Sequence, residues 1–167
     1  MTKDPQAPPP YVALHALWDA AQDAFFAEFR DELEQTEYSD VRPTHGCVFR
    51  FVREDGMRLT RLAELAKITK QSAGEVIDDL VKRGYVERIP DPEDRRAKLI
   101  CLTEKGREAQ ATGLAILLEI EARWIERYGA ERWAAMRDLL EEIVAAEAPD
   151  AVPELASPEL AGLAKVA

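Results

Sequence analysis

Apolar residues recur along this chain at two different spacings, and each spacing predicts a different kind of element. A step of three or four residues places side chains on one face of a helix. In the outer parts of the chain this step predicts helices at about 11–35, 43–53, 104–128 and 131–147. Two shorter helices are predicted at 59–66 and 70–83, since each carries one apolar stripe. The runs 85–89 and 98–102 are short and apolar or β-branched, and they predict two strands.

Capping residues mark the ends of several predicted helices. Thr60, Thr69 and Thr103 stand at the starts of the third, fourth and fifth helices. A threonine hydroxyl at an N-cap can accept one of the free N–H groups of the first turn. Gly84 follows the fourth helix, where a C′ glycine commonly ends one. These positions predict a helix, a tight turn, a second helix and then a hairpin.

The loop between the two strands, residues 90–97, contains Pro90, Pro92 and the pair Arg95-Arg96. Proline cannot donate to a strand ladder, so the two prolines mark where pairing stops. Two arginines on a stiff loop suit insertion into a nucleic-acid groove, but the loop alone is equally compatible with an ordinary surface hairpin. The preceding helices favour the first interpretation, because a helix-turn-helix followed by a basic hairpin is a winged helix-turn-helix.

A resemblance to a known family rests on three segments: ITKQSAGEVIDDL at 68–80, LVKRGYVER at 80–88 and DPEDRRAKLICLTEKGR at 91–107. With them, the run 59–107 resembles the DNA-binding lobe of MarR-family transcriptional regulators. Towards both ends of the chain only the helical layout matches. The resemblance implies an obligate homodimer whose long terminal helices form the dimer lobe. It also implies a small-molecule site between the two lobes.

The expected fold is mainly α, of the α+β class: a winged helix-turn-helix with long N- and C-terminal helices that form a dimerisation lobe. One MarR-like domain is expected at 11–147. Within it, the winged-helix DNA-binding lobe is expected at 57–103, and the dimer lobe with its linking helices at 11–56 and 104–147. The proline-rich segment 1–10 is expected to be disordered. Three further prolines predict a flexible tail at 148–167.

The second helix of a helix-turn-helix enters the major groove and presents its N-terminal residues to base edges. Lys70 can bind guanine or phosphate, and Gln71 can pair with adenine. Thr69 and Ser72 are expected both to cap the helix and to contact DNA. Glu75 stands where many relatives in the family carry arginine. A carboxylate there either accepts from cytosine or repels phosphate, so the preferred DNA sequence stays open.

In the wing, the resemblance implies that Asp94 orients Arg96, which enters the minor groove. A bidentate carboxylate–guanidinium pair would fix the arginine before binding. Arg95 then faces the DNA backbone or the groove edge. Arg61 and Lys98 are expected to contact phosphate, and for Lys98 a solvated charge is an equal alternative.

The residues that the resemblance implies for the ligand pocket are Trp18, Phe25, His45 and Phe49, and the expected effector is a small aromatic compound. Such residues are more often core aromatics and a histidine that a neighbour satisfies. Cys47 could sense an oxidant if its thiolate were stabilised. The family members that do so use a cysteine near the start of the first helix, which this chain lacks, so a plain buried thiol is favoured.

Charge is distributed unevenly along the chain. The net charge is −10, yet residues 58–107 hold twelve Lys/Arg against nine Asp/Glu, a net of +3. The remainder holds ten against 23, a net of −13. This asymmetry fits an acidic dimer lobe that faces away from the duplex. The modest local charge predicts a DNA affinity that depends strongly on salt.

Several classes of function find no support in the sequence. No apolar run approaches the roughly 18 residues that span a bilayer, and residues 1–10 lack the apolar core of a secretory signal. Two cysteines 54 residues apart and two histidines match no metal or redox spacing. No nucleophile–base pair or phosphate loop appears. The chain is expected to be cytoplasmic, without metal or cofactor, and not an enzyme.

The function expected from the sequence is that of a homodimeric transcriptional regulator, a repressor, that binds double-stranded DNA at a pseudo-palindromic operator and that a small aromatic ligand releases. The alternative is a winged-helix module for protein–protein assembly without specific DNA binding. Operator, target genes and effector stay open, and so does the choice between repressor and activator.

Overall fold

The computed structural model describes residues 12–94 and 96–148. In chain order the elements are α1 (Leu14–Leu33), a 3-10 turn (Pro43–His45), α2 (Gly46–Phe51), β1 (Met57–Arg58), α3 (Leu59–Leu65), α4 (Lys70–Lys82), β2 (Val86–Pro90), β3 (Lys98–Leu102), α5 (Glu104–Tyr128) and α6 (Ala130–Glu147). The predicted N-terminal segment, the tail beyond Ala148, and Arg95 lie outside the described residues. The expected fold class is confirmed: long helices precede and follow a small winged helix in the chain.

The winged helix is a three-stranded antiparallel sheet in the order β1–β3–β2, packed against α3 and α4. Leu62 of α3, Ile77 and Leu80 of α4, and Ile100 of β3 are all essentially inaccessible to solvent. The predicted stripe on α4 therefore forms the core of this lobe. Val81, which the sequence places on the same stripe, remains 37% exposed.

Strand β1 is absent from the sequence prediction, which contains no element between the helices at 43–53 and 59–66. Two residues form the strand: Met57 pairs with Ile100 and Arg58 pairs with Leu99. Gly56 has a φ of +78°, and a side chain there would collide with the buried part of β3. The glycine thus lets the chain turn tightly against the sheet.

Side-chain caps confirm two of the three predicted helix starts. The hydroxyl of Thr69 accepts the N–H of Ser72 at 3.0 Å, and that of Thr103 accepts the N–H of Gly106 at 3.1 Å. The predicted cap at Thr60 is wrong, because α3 already begins at Leu59 and no side chain caps it. Gly84, with a φ of +78°, ends α4 as predicted.

The outer part of the molecule is built on the packing of α1 along α5. The rings of Phe25 and Trp124 meet edge to face with centroids 5.2 Å apart. The indole N–H of Trp124 donates to Glu28 at 2.9 Å, and Arg123 bonds to both Glu28 and Glu32. An aromatic contact and an ion-paired carboxylate cluster thus hold the two helices together.

Helix α6 packs against the end of α5, and none of its residues is buried. Its contacts to α5 include an edge-to-face pair of Trp133 with Trp124, with ring centroids 6.1 Å apart. The indole of Trp133 and the guanidinium of Arg137 also both donate to Glu121 at 3.0 Å. Large apolar side chains on α6 and on the first half of α1 face solvent in the single chain. They are Leu14, Leu17, Trp18, Met136, Leu139 and Ile143.

One junction joins the winged helix to α5. Tyr85, which follows α4, is fully buried, and its hydroxyl donates to Asp40 at 2.5 Å. Its carbonyl oxygen accepts the N–H of Thr103 at 3.0 Å. The first turn of α5 passes so close that a side chain on Gly106 would collide with this carbonyl. The glycine is therefore required by close packing at the junction.

Two glycine substitutions should act on stability in opposite directions. Gly106→Ala is expected to lower the free energy of unfolding by at least about 2 kcal/mol, because backbone must move to admit the methyl group. Gly74→Ala, within α4 and with open space around its Cα, should raise it by about 0.5–1 kcal/mol through helix propensity. Urea unfolding of both variants measures the two effects. A Gly106→Ala variant as stable as the parent would contradict the junction.

Candidate nucleic-acid interface

The first turn of α4 presents an uncovered polar surface. Lys70, Gln71 and Ser72 are all exposed. Thr69 both caps the helix and lies 2.8 Å from the Ser72 hydroxyl, so these two side chains hold each other. The amide of Gln71 donates to Glu75 at 3.2 Å. Glu75 is therefore the side chain that holds the glutamine predicted to contact a base.

Between β2 and β3 the wing forms a compact turn. The carboxylate of Asp94 accepts the backbone N–H of Arg96 at 3.0 Å, and its carbonyl accepts the N–H of Ala97 at 2.8 Å. In the described residues the Asp94 carboxylate bonds to the backbone of Arg96 rather than to its guanidinium, so the predicted pairing of the two side chains stays a prediction. Arg96 and Lys98 are exposed, and Arg95 lies outside the described residues.

Arg61 extends from α3 beside Glu64, with a closest N–O separation of 3.4 Å. Both side chains are more than half exposed. An exposed ion pair of this kind contributes little to stability, because water screens it. The guanidinium of Arg61 can therefore exchange its carboxylate for a phosphate at low cost, as its predicted role requires.

An ion pair that the sequence analysis missed lies at the base of the wing. Asp91 is buried, and its Oδ2 accepts from Nε and Nη2 of Arg58, each at 2.6 Å. Its Oδ1 accepts the backbone N–H of Glu93 at 2.8 Å. This backbone bond, with the Arg58 guanidinium, holds the pKa of Asp91 below its usual range. The Asp-Pro step at 91–92 signals a turn, but not this long-range partner.

A second network ties the 3-10 turn to α4. His45 is 1% exposed, and its Nδ1 accepts the backbone N–H of Arg42 at 3.0 Å. The ring proton therefore sits on Nε2, which donates to Asp79 at 3.0 Å. Asp79 also accepts from Arg83 at 2.9 Å, and this bond lowers the pKa of the carboxyl. A buried histidine thus binds the C-terminal half of α4, through Asp79.

The four residues predicted to line a ligand pocket contact different neighbours. Trp18 is 48% exposed on α1, and Phe25 packs on Trp124. Phe49 packs on Tyr85 with ring centroids 5.9 Å apart. Both ring nitrogens of His45 already have partners. The pocket therefore stays a prediction, to which the described side chains add no common site.

The thiol of Cys47 is half-buried and bonds to the carbonyl of Thr44 at 3.4 Å. Burial raises the pKa of Cys47, so the reactive thiolate is disfavoured at neutral pH. In residues 12–94 and 96–148, His, Cys, Asp and Glu nowhere gather in a group of three that could hold a metal ion. Over the same residues no helix has the length and apolarity to cross a membrane.

This arrangement is similar to that of known proteins. A sequence model described as the MarR family matches residues 39–97, from before α2 into the wing. The crystal structure of transcriptional regulator PA4135 superposes with a TM-score of 0.67 and 28% identity, over 82% of this chain and 99% of that one.

Residues 39–97, from before α2 into the wing, belong to the MarR family.

Two further proteins are similar to this chain. The chain is 28% identical over 81 residues to YybA, an HTH-type transcriptional regulator of Bacillus subtilis. That match covers 47% of this chain and 54% of YybA, so this chain spans about half the length of that relative. The transcriptional repressor CouR, solved bound to a 23-mer DNA duplex, has a TM-score of 0.64 at 24% identity over 79% of this chain and 92% of that one.

The buried histidine should make stability depend on pH. Burial lowers the pKa of His45 below its ordinary value. As the pH falls, the unfolded chain therefore takes up a proton on this histidine before the folded chain does. Stability is complete above about pH 6.5 and should fall as the pH drops towards 5, by at most about 1.4 kcal/mol per pH unit. His45→Gln should be less stable at pH 7.5 but should lose this slope. Urea unfolding between pH 5 and 7.5 measures it.

The control is His15→Gln, which removes an exposed histidine of α1. If the stability of His45→Gln depends on pH as steeply as that of the parent protein, a different group is responsible, and protonation of His45 is not coupled to unfolding.

Proposed function

We propose that this MarR-family protein is a transcriptional regulator, a repressor, that binds a pseudo-palindromic operator as a homodimer. The observation that carries the proposal is the pairing of two exposed basic features on one lobe. The first turn of α4 offers Lys70 and Gln71, and the wing offers Arg96. In a winged helix-turn-helix these are the parts that enter the major groove and the neighbouring minor groove.

Charge supports the proposal. The segment 58–107 carries a net charge of +3 in a chain of net charge −10. Phosphate attracts the basic lobe and repels the acidic remainder, so the charge asymmetry also orients the approach to DNA. The transcriptional repressor CouR, which is similar in fold to this chain, has been solved bound to a 23-mer DNA duplex, and this supports DNA as the partner.

Exposed apolar residues support the homodimer. Leu14 of α1 is 70% exposed and Leu139 of α6 is 56% exposed, and further apolar side chains accompany both. Several large apolar side chains exposed on the same two helices are typical of an association site. A second copy with the same two helices would cover it in a two-fold arrangement. The two recognition helices would then lie about one duplex turn apart, roughly 34–36 Å.

Release by a small aromatic ligand is the part of the proposal with the least support in the described residues. It rests on the family resemblance and on aromatic residues in α1 and α2. A ligand can release DNA only by binding one spacing of the recognition helices better than another.

The second candidate is a module for protein–protein assembly. The acidic outer helices favour it, whereas the exposed wing arginine and the polar start of α4 do not. Salt-dependent binding to a specific operator separates the two, because an assembly module would bind DNA weakly and without sequence preference.

Removal of the wing arginine tests the DNA-binding part. Arg96→Ala is expected to weaken binding to the protein's own promoter about ten- to a hundred-fold, because a guanidinium in the minor groove is lost. The dimer should stay folded, since Arg96 has no apolar role. Arg30→Ala, an exposed arginine of α1, is the control and should bind as the parent does. Gel-shift titration measures both, and equal affinity of Arg96→Ala and parent would refute the wing assignment.

Light scattering tests the assembly. The parent protein is expected at twice the chain mass of 18.7 kDa at micromolar concentration. Leu139→Glu should shift it to the monomer, because a charge is placed in the proposed apolar interface. Ile89→Glu, at an exposed apolar position on the wing, should leave the dimer intact. A parent protein that stays monomeric would refute the homodimer.

A further inference from the structure

The wing loop lacks an apolar anchor of its own. Pro92, Glu93, Asp94 and Arg96 are exposed, and Ala97 is half-buried. Apolar burial therefore does not fix the direction in which the loop projects. Hydrogen bonds must do so, and most of those described in the loop run between its own residues.

Asp91 is the exception, because it joins the loop to the rest of the lobe. It is 4% exposed, and its backbone N–H donates across the loop to the carbonyl of Ala97 at 3.1 Å. Oδ1 accepts the N–H of Glu93 at 2.8 Å, while Oδ2 accepts twice from Arg58 at 2.6 Å. Asp91 thus joins the two sides of the loop's base through its backbone N–H, and its carboxylate binds both the loop and a residue outside it.

Arg58 is well placed to serve as the fixed end of this pair. It belongs to β1, pairs with Leu99 of β3, and immediately precedes α3. Its backbone is therefore part of the sheet that packs against α4. A guanidinium that bonds one carboxylate oxygen through two N–H groups also fixes the direction of approach, which a single ammonium cannot do.

We propose that Arg58 and Asp91 are a positioning pair: they hold the wing so that Arg96 points into the minor groove. The inference rests on the proposed DNA-binding function and adds to it the residues that orient the wing. It assigns to Asp91 the orienting role that the family resemblance implies for Asp94. Asp94 shapes the turn locally, whereas Asp91 ties the turn to the sheet.

General electrostatics and positioning predict opposite signs for Asp91→Asn. Removal of an acidic charge from the DNA-binding lobe should tighten binding to phosphate. Loss of positioning should weaken binding. Asp91→Asn keeps the shape of the side chain and the acceptor for Glu93, and it replaces the charged oxygen that accepts from Arg58 with an NH2 donor. Glu64→Gln is the matched control, because it also removes one acidic charge from an arginine pair in the same lobe.

The expected result is that Asp91→Asn weakens operator binding about ten-fold, while Glu64→Gln binds as tightly as the parent or more tightly. In an Arg96→Ala background, Asp91→Asn should cost less than about two-fold, because the arginine that it positions is gone. Arg58→Lys keeps the charge but loses the two-point contact. It should show an intermediate loss, and it serves as the second variant should Asp91→Asn fold poorly.

Hydrogen exchange of the free protein gives a readout that does not depend on DNA. Asp91→Asn should speed exchange in the wing peptide, at Glu93 and Ala97, and leave the amides of α4 protected as in the parent. If the parent protein binds no operator, the proposed function fails while this exchange result stands on its own. If the operator binds but the losses of Asp91→Asn and Arg96→Ala add fully, or if Arg96→Ala costs nothing, the positioning proposal is overturned.

Discussion

The orientation of the DNA-binding lobe depends on how one residue, Tyr85, is held. Its ring is buried under the ammonium group of Lys105, which lies 4.1 Å from the ring centroid, and its hydroxyl donates to Asp40. Its carbonyl accepts from Thr103, and Gly106 leaves room for that carbonyl. The end of the recognition helix, the first strand of the wing and the start of α5 therefore meet at one rigid point. Burial together with the bond to Asp40 raises the pKa of the Tyr85 phenol, so it stays a hydrogen-bond donor at any physiological pH.

Many cations of the winged helix already have partners within the lobe or its flank, and this decides which of them can face DNA. Arg58 is bound to Asp91 and Arg83 to Asp79 and Asp40. Arg88 is bound to Asp78 at 2.7 Å, although Asp78 is more than half exposed. In the part of the chain that the structure describes, the exposed cations without a hydrogen-bond or ion-pair partner in this lobe lie in the helix-turn-helix and the wing. They are Lys67, Lys70, Lys82, Arg96 and Lys98. The modest net charge of the lobe is therefore concentrated at its two proposed DNA-contacting parts.

The features that sequence analysis predicted correctly are those set by neighbours a few residues away. The cap at Thr69, the C′ glycine at Gly84 and the hairpin all follow from local turn and capping chemistry. Strand β1 was missed because two residues are too few to show an alternating apolar pattern. Only their pairing with β3 makes them a strand. The bond between His45 and Asp79 joins residues 34 positions apart, and Arg58 lies 33 positions from Asp91. Such pairs depend on tertiary packing, which a pattern along the chain does not contain.

The outer helices differ in this respect, because their apolar pattern is satisfied only in part within one chain. The stripe on α1 is partly buried where it meets α5, from Phe25 onwards, but its first half is exposed. Helix α6 buries none of its residues, and although Trp133 packs on Trp124, the side chains of Met136, Leu139 and Ile143 are exposed in the single chain. In the proposed dimer these surfaces would join the two copies, and α5 would connect them to the junction at Tyr85. Because α5 begins at that junction and ends beside α6, a shift at the dimer interface would change the spacing of the recognition helices. The same rigid connection explains why spacing, rather than the fold of either lobe, is the quantity that an effector would have to change.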